Sequence, residues 1–344
     1  MLAPPHLDRP VATLASLAVL LVGLWSGCTA AGEPQGQMRL VVAGEPAPRP
    51  GNADADRRVG LIVPTLTNPL YADMARGARR AAIELGVPLS VGDAANEAYV
   101  AGQLAFVEQF TRARVAAMVI APASSRALVP ALERARRAGV VVVQVANRLA
   151  GGKPGSDDSD IPFVGGDDEH GAYLAAKLLA DRLGKRTTQV AMIDGMSGTH
   201  SADQRAKGAL RAFSENPKLT VVTRAAADWK IDEAFAVAGR IFTRHPNVGA
   251  IFCASDMMAL GAIEYLKQSG RKRVLVASSG GMMEEARAAI AAGTLLATVD
   301  HKADVVGYKG VQLALRGLNG QALSADKVVD VELITAETVK PKER

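Results

Sequence analysis

Aromatic residues are scarce, with two Trp, five Tyr and seven Phe among 344 residues. Alanine, valine and leucine must build most of any interior, so an aromatic outside a core pattern calls for an explanation. Cysteine occurs only twice, at Cys28 and Cys253, which excludes a disulfide framework. The five histidines are scattered, with no H-x-x-x-H or C-x-x-C spacing, so no metal site is expected. There is no P-loop, and no G-x-G-x-x-G follows the first strand-like run, which removes the ordinary dinucleotide enzymes. No basic block with interleaved aromatics appears, and the net charge is only +5, so nucleic-acid binding is not expected.

What is present begins with an export pattern. Arg9 precedes "PVATLASLAVLLVGLWSGC", an apolar run ending at small residues. Residues 1–28 read as an export signal and not as part of the fold. "LWSGC" resembles a bacterial lipoprotein signal with Cys28 as the lipidated residue, although Trp25 stands where Leu or Val is usual. Ordinary cleavage after Ala30 or Ala31 is the alternative. One acyl chain anchors only marginally. Residues 29–56 are rich in Ala, Gly and Pro and read as a flexible linker. Within them "MRLVVAG" could form a strand, but with no visible partner. Cys253, in the apolar run "VGAIFC", reads as a buried, inert thiol.

From Val59 the chain alternates between short apolar runs and amphipathic stretches. The runs include "VGLIV", "PLSVG", "VAAMVIA", "VVVVQVA", "QVAMID", "VGAIFCA" and "LLATVD", with "VVDVELI" as the last strand. Helices are expected to begin near Asn68, Glu97, Arg126, Glu169, Ser201, Asp232, Asp256, Met283 and Lys302. The alternation predicts an α/β fold with parallel sheets covered on both faces, in two domains. Ligands of such sheets bind at the carboxyl ends of the strands, so the segments after the strands carry the functional candidates.

After the first strand, "TLTNPLYADM" places Asn68 and Pro69 to cap a helix, with Tyr71 in its first turn aimed at the strand ends. After "VVVVQVA", Asn147 and Arg148 emerge. A guanidinium there offers a fork of donors, or simply pairs with an acid in a solvated loop. In "GMSGTHSADQRAKGAL", Arg205 falls on the first turn of a helix. Ser197, His200 and Asp203 do not form a triad: they are too close in one loop for the relay geometry, and no G-x-S-x-G elbow is present. Trp229 stands in a loop before a helix, either as a stacking surface for a ring or as a plug between helix and sheet. Ser255 or Asp256 caps the helix after "VGAIFCA", and Asp300 and His301 end the strand "LLATVD". No nucleophile–base pair, carboxylate pair or metal set points to an enzyme, and no cofactor is implied.

The segments "VGLIVPTLTNPLYADMARGA", "VVVQVANR", "GMSGTHSADQRAKG", "IFCASDMMALGA" and "GTLLATVDH" resemble the periplasmic sugar-binding proteins of the ribose-binding type, the solute receptors of ABC importers. The similarity runs from about Val59 to about Ile334. It implies two doubly wound parallel-sheet domains joined by a three-stranded hinge that closes around ligand. The crossings would fall near Val164, near Val299 and Asp300, and near Ser324–Val328. Residues 57–163 plus 301–324 would form the first domain, 164–299 the second, and 325–344 the hinge return, last strand and tail. The implied ligand contacts are Asn68, Leu70, Tyr71, Asn147, Arg148, Arg205, Trp229, Ser255, Gly280 and His301. The implied partners are a small sugar or sugar derivative and an ABC permease. The protein would be an extracytoplasmic monomer, touching membrane only through a lipid anchor. A sensing subunit for a membrane kinase or chemoreceptor is the alternative. A sugar-responsive transcription regulator would need an N-terminal helix-turn-helix, which residues 29–56 do not supply.

Several positions depart from the ribose receptors. Asn147 and Gly280 stand where two Asp are usual, Ser255 where Asn is, His301 where Gln is, and Leu70 where an aromatic is. Loss of two carboxylates beside Arg148 and Arg205 predicts a positive pocket and an acidic or larger ligand.

Overall fold

The computed structural model describes residues 38–42, 57–150, 160–281, 283–323 and 326–339. The export signal, Cys28 and most of the linker lie outside them. The chain begins with β1 (Arg39–Val42), β2 (Val59–Val63), α1 (Pro69–Leu85), β3 (Leu89–Asp93), α2 (Val100–Arg112), β4 (Ala117–Ile120), α3 (Val129–Arg137), β5 (Val141–Val145) and β6 (Phe163–Gly166). It continues through α4 (Asp168–Leu183), β7 (Thr188–Asp194), α5 (His200–Ser214), β8 (Leu219–Ala226), α6 (Ile231–Arg244), β9 (Val248–Cys253), α7 (Asp256–Gln268), β10 (Leu275–Ser278), α8 (Glu284–Ala291) and β11 (Ala297–Asp300). It ends with α9 (Ala303–Leu318), β12 (Asp326–Val329) and β13 (Glu332–Thr335).

Two mainly parallel sheets organise most of these elements. The first has seven strands in the order β1-β3-β2-β4-β5-β6-β12, and the second four in the order β10-β9-β7-β8. Strands β2 and β3 are buried at every position, because helices cover both faces. Val59, Leu61 and Val119 pack under α1 and α9, while Ile62, Phe106, Phe110 and Leu132 fill the face under α2 and α3. The second sheet is enclosed in the same way by α6 and α7 on one face and by α4 and α5 on the other. Cys253 is buried and free, and burial pushes its thiol well above the usual range.

Two expectations fail in instructive ways. The strand in "MRLVVAG" is not partnerless: β1 pairs antiparallel with β3 and closes one edge of the large sheet. The run "VVDVELI" is not one strand. Its first half, β12, pairs parallel with β6, and its second half, β13, pairs antiparallel with β11. Asp330 and Val331 make the break, so one apolar run serves two sheets. The chain passes between the layers between Gly166 and Asp168, between Asp300 and Ala303, and between Val329 and Glu332.

Helix α9 returns to pack across α1 at very short range. A Cβ on Gly77 would lie 1.7 Å from the Asp304 carbonyl oxygen, and one on Gly307 would lie 1.9 Å from that of Met74. Alanine is worth about 1 kcal/mol more than glycine in a helix interior. Here the clash is with backbone and cannot be relieved by a rotamer. Gly77→Ala should therefore destabilise by about 1–3 kcal/mol or more despite its better propensity. Urea unfolding measures it, and unchanged or raised stability would show that α9 can lift off α1.

Candidate functional site

A narrow cavity of about 50 Å³ lies where the strand ends of the two sheets meet. The first sheet contributes Asn68, Leu70 and Tyr71 after β2, Glu97 after β3, and Ala146 and Asn147 after β5. The second contributes Ser201 and Arg205 on α5, Trp229 after β8, Ser255 and Met257 after β9, and Gly280, Gly281 and Met283 after β10. Eight of the ten residues singled out from sequence line it.

Each is held by local structure. Asn68 caps α1, its Oδ1 accepting from the Leu70 amide at 3.0 Å. That bond fixes the amide, and Nδ2 donates to Glu97 Oε1 at 2.6 Å. Tyr71 is buried in the first turn of α1. Burial, and then the neighbouring Glu97 carboxylate, hold its phenol well above the usual range. Asn147 follows Ala146, whose φ of 60° lies in the left-handed region. Its Nδ2 donates to the Pro122 carbonyl at 3.1 Å. Its Oδ1 is buried without a partner. Ser255 caps α7 by accepting from the Met258 amide. Trp229 has φ 66°, a conformation that a bulky residue adopts only under constraint, and Asp228 before it has φ 49°. Its ring lies against Gly195, where an added Cβ would come within 2.0 Å of the indole.

Arg205 is held within the protein through Nε and Nη1, which leaves Nη2 as its only donor group toward the cavity. Its Nε donates to Asp168 Oδ1 at 2.8 Å, and its Nη1 donates to the carbonyls of Ala254 and Ser279, each at 2.8 Å. Both partners of the ion pair are buried. The guanidinium also lies 5.5 Å from the Trp229 ring centroid. Gly280, with φ 119°, leaves the space this requires: a Cβ there would stand 2.7 Å from Arg205 Nη1.

Two expected contacts fall elsewhere. Arg148 lies over the Phe163 ring at 4.0 Å and borders a separate polar cavity with Asp167, Glu169 and Arg211. The left-handed turn at Ala146 sends successive side chains to different cavities. His301 is buried behind the site, its Nδ1 3.7 Å from Asp168 Oδ1 and its Nε2 without a partner. The positive pocket inferred from sequence is thereby overturned. One arginine is outside the cavity, and the other is neutralised by Asp168, a carboxylate at the start of α4 whose proximity sequence spacing does not reveal. The charge that remains is negative and belongs to Glu97. Burial pushes the Glu97 carboxyl up to about 7, against the pull of hydrogen bonds from Asn68 and Tyr71. Glu97 was expected only as a helix start. Helix α2 begins three residues later, which leaves the acid in the loop after β3, where the strand-end rule would have placed it among the candidates.

Glu97 and His301 give stability opposing pH dependences. The His301 pKa is lowered from 6.5 to about 4, mainly by burial and then by Arg205. The unfolded chain thus binds the extra proton between these values, and stability falls as pH drops from 6.5 toward 4, by on the order of 3 kcal/mol. Glu97 acts in the other sense: the folded chain holds the extra proton, so stability falls as pH rises from 4.5 to about 7. Glu97→Gln should raise stability at pH 8 and steepen the acid-side loss, and His301→Gln should flatten it. Urea unfolding of the three proteins between about pH 4 and 8 measures this. Parallel curves would contradict the opposition.

A periplasmic binding protein domain model matches residues 59–322. The chain belongs to the periplasmic binding protein family. A D-ribose/D-allose-binding protein of Pseudomonas aeruginosa is 33% identical over 285 residues, covering 81% of this chain and 89% of its own. The D-allose-binding periplasmic protein of Escherichia coli is 30% identical, covering 82% of this chain and 92% of its own. Among solved structures, an ABC transporter periplasmic solute-binding protein from Actinobacillus succinogenes with bound D-allose aligns with TM-score 0.77 at 30% identity, over 82% of this chain and 98% of its own. The Caulobacter myo-inositol binding protein, bound to myo-inositol, aligns with TM-score 0.76 at 27% identity, over 85% of this chain and 96% of its own. As in any periplasmic binding protein with open α/β sheets, the cavity lies outside the carboxyl ends of the strands.

Proposed function

We propose that this periplasmic binding protein captures a sugar or related cyclic polyol between its two sheets and delivers it to the permease of an ABC importer. The observation that carries this is the cavity itself. Tyr71 and Trp229 supply aromatic surface, and Asn68, Asn147, Ser201 and Ser255 supply polar groups around it. Aromatic surface with a few placed polar groups between two sheets suits a small ligand once the sheets close around it. The relatives support the class, since those named bind D-ribose, D-allose or myo-inositol. They are import or solute-binding proteins, and nothing in the cavity favours the sensor alternative.

The ligand contacts in this reading are Asn68, Leu70, Tyr71, Asn147, Arg205, Trp229, Ser255 and Gly280, without Arg148 or His301. Entry requires the two sheets to part, with the three crossings after Gly166, Asp300 and Val329 as the hinge. Residues 1–28 hold the export and lipoprotein signal, in which Cys28 becomes the lipidated first residue that tethers the exported receptor to the membrane. A Cys28→Ala chain released from membranes, where the parent chain stays bound, would support the anchor.

Thermal unfolding in the presence of D-ribose, D-allose, myo-inositol and their acidic counterparts tests the central claim. Ligand that binds only the folded chain raises the midpoint with the logarithm of its concentration. At least one neutral polyol should shift it. A shift from acidic sugars alone would overturn the reading of cavity charge.

A further inference from the structure

We propose that Glu97 is the specificity-determining residue of this cavity: its carboxylate accepts a hydrogen bond from a hydroxyl or amino donor on the ligand ring, and it excludes acidic sugars. This rests on the sugar-binding reading above. Two charged side chains line the cavity, Arg205 and Glu97. Arg205 spends Nε on Asp168 and Nη1 on two carbonyls, so its charge is met before any ligand arrives. Glu97 has no cationic partner among the described ion pairs. Its protein donors are Asn68 Nδ2 and the neighbouring Tyr71 hydroxyl. An ionised carboxylate has about four lone-pair sites, so two donors leave acceptor capacity.

A second, independent observation points the same way. Asn147 Oδ1 is buried and unpartnered on the cavity wall, and the amide cannot turn over without losing the bond from Nδ2 to Pro122. An orphaned acceptor costs free energy until something donates to it. Glu97 and Asn147 therefore present two acceptors from the first sheet, and the complement is a ligand with two donors. A carboxylate or phosphate on the ligand would meet like charge at Glu97 and a lone pair at Asn147.

The same geometry links capture to pH. Glu97 is partly buried, and the desolvation raises its carboxyl to about 7. The titratable group facing it is Tyr71 on α1; Arg205 and Asp168 lie beyond that ring and act on it in opposite directions. A donor from the ligand favours the ionised form, so binding should lower the Glu97 pKa, release a proton near pH 7 and weaken as the solution becomes more acid.

The test is calorimetric titration of the full mature chain and its Glu97→Gln and Glu97→Ala variants at about pH 5.5, 7 and 8, in buffers of different ionisation enthalpy. The probes are D-ribose, D-allose, myo-inositol, D-glucosamine and D-glucuronate. The parent chain should bind a neutral or amino probe at least about five-fold more tightly at pH 8 than at pH 5.5, with proton release. Glu97→Gln keeps the shape but loses the charge-assisted bond. It should bind the same probe about ten-fold more weakly at pH 8, and the pH slope and proton release should vanish. Unfolding midpoints of the variants at or above the parent's at pH 8 exclude misfolding as the cause. If the parent binds a sugar and Glu97→Gln matches it in affinity and slope, the Glu97 inference falls while the sugar-binding reading stands. If D-glucuronate binds best to the parent, the inference falls. If no probe binds the parent at any pH, the sugar-binding reading falls and takes the inference with it.

Discussion

Arg205→Met should destabilise the protein by about 3–5 kcal/mol, the largest effect expected of a single substitution here. The reason is the carboxylate it leaves behind. Asp168 is buried, and its Oδ1 receives the Arg205 Nε. Without the guanidinium, a buried charge loses its partner, and the carbonyls of Ala254 and Ser279 lose a shared donor. Replacing both partners, as Arg205→Met with Asp168→Asn, should recover much of the loss, because the uncompensated charge is then gone. The loss should also be smaller in acid. Arg205 holds the His301 pKa down and Asp168 raises it. With Arg205 removed, His301, 3.7 Å from Asp168, protonates more readily and supplies part of the missing charge. Urea unfolding of the parent, the two single variants Arg205→Met and Asp168→Asn, and the double variant at about pH 5 and pH 8 measures all of this. A single-variant loss under about 1 kcal/mol, or one independent of pH, would show that the pair is solvated and not structural.

Trp229→Ala should cost at least about 2 kcal/mol of ligand affinity, some thirty-fold or more. The indole covers one wall of the cavity, braced against Gly195 and 5.5 Å from the Arg205 guanidinium. Trp229→Gly separates function from folding. It removes the same ring but relieves the left-handed backbone at φ 66°, a strain worth about 1–3 kcal/mol. Its unfolding midpoint should therefore exceed that of Trp229→Ala while binding is lost equally. Titration with whichever sugar shifts the parent's melting gives the affinities. Retained affinity in both variants would make Trp229 a plug between α6 and the sheet and not a wall of the site.

The strand ends were legible from sequence because they obey local rules. "TNPLY" carries its own helix start in Asn68 and Pro69, and the resulting turn points Tyr71 at the cavity. Trp229 was legible because it breaks the amphipathic pattern around it. Arg148 was misplaced for a local reason that the sequence does not display: Ala146 adopts a left-handed turn without glycine, and the next two side chains diverge. Glu97 was passed over because a polar residue near a helix start resembles any other. Its meaning depends on Asn68, which lies 29 residues away and reaches it at 2.6 Å. The pairing of β1 with β3 and the break between β12 and β13 were missed because pairing partners are distant in sequence.

The sequence by itself determined the alternation of strand and helix, the placement of candidate residues at strand ends and the family resemblance, since these follow from hydrophobic period and local capping. Only the tertiary structure decided the charge of the cavity. Asp168 neutralises Arg205 across 37 residues and Glu97 stands unpaired by any described cation. Charge balance in a buried site depends on distances of a few ångströms between remote segments, and a linear sequence counts charges without saying which of them meet.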